Sequence, residues 1–284
     1  MELSKLTALG RPLDPKYPPN LGISLLTLSV MAGGCIVHLL QTGTWSKSIL
    51  WGIGSGLYVF LAWALCREID PDHDLSAFAA AAFALITLFI WGFYGLGISF
   101  WLLLAIRIIN RTTGLPATIL DSSVLLGLGA WVTFQTNWGY GALTIAAFAL
   151  DSCLEPKHRR QIIFAGLSAV ITISAVCQNK LSFDFNLNQE TIGIVVIASA
   201  VFLFLILGSK NISSKADVTG EHLNPVRVQA GQMFTLLAGI NAVLWNGASG
   251  VKQTAPLWGA GAGAVLYCFY LFLSRKFPKP QDKS

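Results

Sequence analysis

Sixteen of the 19 lysine and arginine residues fall into six clusters, and five long apolar stretches separate those clusters. The clusters are Lys5, Arg11 and Lys16; Arg67; Arg107 and Arg111; Lys157, Arg159 and Arg160; Lys210, Lys215 and Arg227; and Arg275, Lys276, Lys279 and Lys283. The stretches run roughly 22–66, 75–106, 117–156, 161–209 and 229–274. A soluble fold of 284 residues has too little interior for this much apolar chain. Charged residues make up 12% of the sequence, about half the usual share in soluble domains. The pattern therefore predicts an all-α integral membrane protein.

One spanning helix takes about 20 residues, so each stretch has room for two. Each also breaks near its middle, at 41–48, 91–97, 135–139, 178–190 and 246–256. The three lysines outside the clusters, Lys47, Lys180 and Lys252, all sit in those breaks. The expected architecture is a polytopic bundle of about ten transmembrane helices arranged as five hairpins. All six basic clusters then share one face, which the positive-inside rule makes cytoplasmic, with both termini on it. The helices of the two middle hairpins have only about 14 to 18 residues each, short for a full crossing. An eight-span version is the alternative. The domain reading is a polar cytoplasmic segment at 1–21, a transmembrane domain at 22–275 and a basic cytoplasmic tail at 276–284. The start, "MELSKLTALGRPLDPKYPPN", is too polar for a cleavable signal.

Four of the second helices are expected to open on Trp-Gly: at Trp51, Trp91, Trp138 and Trp258. Indole rings favour the interface, and glycine lets helix backbones approach. Gly52/Gly56 and Gly259/Gly263 have GxxxG spacing. The pattern reads either as a duplicated hairpin or as convergence on a favoured helix start. The five cysteines stand singly and read as small buried hydrophobes.

"REIDPDHD", residues 67–74, concentrates four acids in an acid-poor chain. It is expected to be a short cytoplasmic loop. Asp72, Asp74 or Ser76 would cap the next helix, while Arg67 suits a helix C-terminus. The rival reading is a cation or phosphate-metal site built from Asp70, Asp72, His73 and Asp74, with Asp151 as the nearest acid elsewhere. Asp121 reads as a helix N-cap. His38, Gln135, Asn241 and Asn246 are the polar groups at membrane depth and the candidates for lining a solute path. No span has a central acid, which disfavours a strongly cation-coupled pump. Residues 209–228 read as a flexible polar linker.

The plan of ten helices with both ends inside is similar to that of the drug/metabolite transporters. It is also similar to the tellurite-resistance and slow-anion-channel group, whose five hairpins surround a pore. The likeness is one of architecture and carries over no residue. The expected function is a multi-pass transporter or channel for a small neutral or anionic solute in the plasma or inner membrane. Its partners would be the lipid bilayer and that solute, in a monomer or homo-oligomer, with no nucleic acid, cofactor or metal. The rivals are a membrane enzyme acting on a lipid or isoprenoid at the cytoplasmic face and a non-catalytic assembly factor.

Overall fold

The computed structural model describes residues 6–11, 13–180 and 188–276. Among them the protein is all-helical, with one isolated bridge between Lys215 and His222. Ten helices carry the fold: α1 Pro18–Thr42, α2 Trp45–Ile69, α3 Asp74–Trp91, α4 Leu96–Asn110, α5 Ile119–Gln135, α6 Trp138–Cys153, α7 Gln161–Ala175, α8 Gln189–Gly208, α9 Pro225–Asn246 and α10 Ala255–Lys276. A π turn, Val176–Lys180, extends α7, and a six-residue helix, Ala248–Gln253, lies between α9 and α10. Among the described residues five helices are long and apolar enough to cross a bilayer: α1, α2, α3, α7 with the start of its π turn, and α10. That points to a membrane protein.

Four expected breaks coincide with helix ends, at 42–45, 91–96, 135–138 and 246–255. The fifth, 178–190, falls mostly outside the described residues. The Trp-Gly starts fare differently. Trp138 opens α6, but α2 begins six residues before Trp51, Trp91 ends α3, and Trp258 lies inside the first turn of α10. Indole at an interface does not require a helix start, so the pair marks depth better than it marks a boundary.

Sequential neighbours pack together in α1–α2, α2–α3, α4–α5, α5–α6, α6–α7 and α8–α9. Other partners come from far along the chain. The apolar core of α3 packs chiefly on α10, while α4 packs chiefly on α9 and α2. The α3 seam is Ala77, Ala80, Ala81 and Ala84, all fully buried at helical spacing. Small residues let backbones touch where lipid gives no hydrophobic drive to pack. A Cβ on Gly263 of α10 would stand 2.6 Å from the Ser76 carbonyl of α3, and one on Gly52 of α2 would stand 2.4 Å from the Met31 carbonyl of α1. Both GxxxG pairs are thus true contact faces. α2 is the central helix, touching α1, α3, α4, α9 and α10.

The cysteines are less uniform than expected. Cys66 is buried, Cys35 and Cys268 are half-buried, and Cys153 and Cys177 are exposed; all five are free. The 209–228 segment is also no loose linker. Ala216, Leu223 and Val228 form a small buried cluster, and the amides of Asp217 and Val218 bond the carbonyls of Thr112 and Thr113.

Candidate functional site

Residues of four basic clusters, Arg11, Arg67, Arg107 with Arg111, and Arg227, lie at one end of the bundle. Glu68, fully buried in the last turn of α2, accepts from Arg107 Nε of α4 at 2.9 Å and from Arg11 Nη1 at 3.2 Å. Arg11 also holds Asp217 of the α8–α9 loop at 2.5 Å. Burial works against the Arg11 charge, but Glu68 and Asp217 overcome it and push the guanidinium pKa above its ordinary value. A second centre lies beside the first. Asp151, fully buried in α6, accepts from Arg111 at 2.8 Å and from Arg227 Nη1 at 2.9 Å. Arg227 also donates to the carbonyls of Ile109, Leu154, Glu155 and Pro156. It thereby satisfies free carbonyls at the C-terminal ends of α4 and α6. Burial lowers the His158 pKa in spite of Asp151, whose carboxylate its Nδ1 contacts at 3.3 Å.

The segment before α1 is bound into this layer. Asp121 accepts from Thr7 Oγ1 at 2.5 Å and from the Ala8 amide at 2.9 Å. Thr113 donates to the Ala8 carbonyl, and Arg107 donates to that of Leu9. Asp121 is not the N-cap of α5. Thr118 is, with Asp121 completing a capping box three residues on.

A pocket of about 890 Å³ opens between this segment, α2 and α4. That volume suits one small-molecule ligand. Its charged end presents Arg11, Arg67, Arg107 and Asp217. Its walls are apolar, including Leu57, Phe60, Leu61, Leu96, Phe100 and Leu103. Side-chain exposures of 15 to 20% leave the three guanidinium groups reachable.

The acids of 67–74 all have protein partners. Asp70 pairs with His73 Nδ1 at 2.8 Å. Asp72 accepts from the amides of Ser213 and Ser214, and these bonds outweigh burial to hold its pKa below the usual carboxylate range. Asp74 takes Arg67 and Tyr17. The helix cap differs from the sequence expectation: His73 is the N-cap of α3 and makes no side-chain cap bond, Asp74 is in the first turn, and Ser76 bonds the His73 carbonyl. Among the described residues no group of three potential ligands could hold a metal ion.

The bond to Asp70 raises the His73 pKa above 6.5, against partial burial. The folded state therefore holds the proton more tightly than the unfolded chain does. The stabilisation is complete below the unfolded value and is lost as pH rises through the folded one. The thermal-midpoint gap between wild type and His73→Gln should accordingly be wider at about pH 5.5 than at about pH 8. An equal gap at both would exclude the ion pair.

The four depth candidates do not converge. His38 stacks on Trp51 and contacts Ser48 Oγ at 3.0 Å. Gln135 is exposed at the end of α5. The Asn241 side chain crowds Gly139 of α6. Asn246 donates to Gln253 at 3.3 Å. None of the four lines the large pocket. The residues that do, Arg11, Arg67 and Arg107, are visible in the sequence only as topology markers; nothing in their spacing shows that they meet. Comparison with family models, curated proteins and solved structures gives no match.

Proposed function

We propose that the chain is a ten-span carrier or channel that admits a small anionic solute to the pocket between α2 and α4 from the cytoplasmic side. The observation that carries this reading is the convergence of Arg11, Arg67 and Arg107 on one end of an otherwise apolar pocket. Guanidinium forks bind carboxylate and phosphate through paired N–H donors. An anion fits this pocket better than a neutral solute or a cation.

The topology is supported by the charged layer itself. Arg11, Arg107, Arg111 and Arg227 come from three sequence clusters that meet on two shared carboxylates, each cluster separated from the next by an even number of helices. The other end carries tryptophans, with Trp51 near His38 and Lys252 over the Trp91 ring. Reporter fusions at residues 45 and 252 should read as external and a fusion at 215 as cytoplasmic. A cytoplasmic reading at 252 removes the ten-span plan.

The functional test is flux into liposomes containing the pure protein. Labelled anions should enter selectively. Arg67→Gln should slow them roughly tenfold, the loss of one charge-assisted contact. Selective cation entry, or anion flux indifferent to Arg67, defeats the proposal.

A further inference from the structure

The pocket is longer and greasier than a small hydrated anion needs. Its lining runs along α2 from Leu57 to Arg67 and along α4 from Leu96 to Arg107. At 1.5 Å rise per residue each wall is about 15 Å long. All the charged lining residues lie at one end: Arg11, Arg67, Arg107 and Asp217. The remaining length offers leucine, phenylalanine and tryptophan, with no ionisable group beyond Tyr17 near the charged end. A small hydrated anion gains nothing from such walls. A hydrocarbon chain gains about 0.8 kcal/mol for every methylene that it buries.

The pocket is also open along its side. Leu57 and Phe100, on facing walls, are 41% and 44% exposed. In a chain that spans a bilayer, those positions lie at the depth of the hydrocarbon. A molecule with a tail could enter there without bringing that tail through water.

The charged end has donors to give. Arg67 gives one N–H group, on Nη1, to Asp74. Arg107 gives Nε to Glu68 and Nη1 to the Leu9 carbonyl. Among the described residues, Nε and Nη2 of Arg67 and Nη2 of Arg107 have no protein acceptor. Glu68 and Asp74 do not line the pocket.

We infer that the ligand of this pocket is an anionic amphiphile, with a phosphate or carboxylate head against Arg67 and Arg107 and a hydrocarbon chain along α2 and α4. The inference rests on the anion-binding reading above and names its substrate class. The same chemistry could arrive as a single-chain molecule from the cytoplasm or as a lipid from the bilayer.

The test uses the full chain in phosphatidylcholine nanodiscs and a series of brominated alkyl phosphates from hexyl to dodecyl. Trp63 lines the pocket, so bromine should quench its fluorescence, and Trp63→Phe should remove that part of the signal. Affinity should rise up to about fourfold per added methylene. Arg67→Gln should weaken every alkyl phosphate about tenfold; Arg67→Lys keeps a charge for Asp74 and serves if the first variant does not fold. Leu57→Gln with Phe100→Gln should flatten the chain-length dependence and leave competition by inorganic phosphate unchanged. Competition by phosphatidic acid placed in the nanodisc assigns the source to the bilayer. Competition by the single-chain phosphate alone assigns it to the cytoplasm.

Three results overturn the inference. If inorganic phosphate binds at Arg67 as tightly as dodecyl phosphate, the anion site stands and the tail is wrong. If an alkyl trimethylammonium of equal length quenches equally, the signal is bilayer partition. If no phosphate, with or without a chain, depends on Arg67, the anion reading falls as well.

Discussion

Asp151→Asn should cost the folded protein about 3–5 kcal/mol, the loss typical of a buried ion pair stripped of one partner. Asparagine keeps the shape of the side chain and one acceptor oxygen, so little of the effect is packing. The loss is charge. Arg111 and Arg227 are 8% and 1% exposed, and both lean on Asp151. Without the carboxylate, two guanidinium groups stay buried with backbone carbonyls for company. The measurement is thermal unfolding of the detergent-solubilised protein, with size exclusion to confirm dispersity. Arg111→Met in the Asp151→Asn background should recover part of the loss, since it removes one orphaned charge. A midpoint within a degree or two of wild type would show that Asp151 is not the anchor of this centre.

Glu68→Gln should move stability and ligand affinity in opposite directions. Glu68 is fully buried and holds Arg107 and Arg11 through one oxygen. Neutralising it destabilises the charged end by about 3 kcal/mol. The same change adds one unit of positive charge behind the pocket, so anion binding tightens on the order of tenfold. A variant that is less stable and binds anions no better would separate the ion cluster from the pocket's function. A variant of unchanged stability would contradict the burial of the pair.

Much of the helix inventory was legible in the sequence because two independent signals agree there. Basic clusters mark one set of ends, and Gly-, Thr- and Asn-containing breaks mark the other; Gly43, Gly92 and Gly247 terminate α1, α3 and α9 in left-handed or otherwise positive-φ conformations that suit glycine. The close approaches at Gly52 and Gly263 were legible for a similar reason, since nothing but a small residue fits there. Lateral pairing was not. The α3–α10 seam is written in alanine and glycine, residues that also fill lipid-facing helix, and no period distinguishes the two uses. The pocket was hidden by the same ambiguity. Arg67 and Arg107 are 40 residues apart, each at the last turn of its helix, and each is fully accounted for by helix polarity and topology until the fold brings them together. His38 and Asn241 stood out because they are polar in an apolar context, but His38 is held by Ser48 and Trp51 and Asn241 is packed against Gly139, away from the pocket.

The pairing of α3 with α10 also sets a timetable for making the protein. Ala255 leaves the ribosome about 180 residues after Asp74. At ordinary synthesis rates that gap lasts on the order of 10 to 40 s. Throughout it, the alanine seam of α3 sits in the nascent chain without its main partner, beside a central helix α2 that is already committed to α1. Completion of the bundle therefore waits for the final helix. A membrane insertase or a holding chaperone would find its longest-lived substrate in that interval, and slowing translation downstream of α9 would lengthen it without changing a single contact in the finished protein.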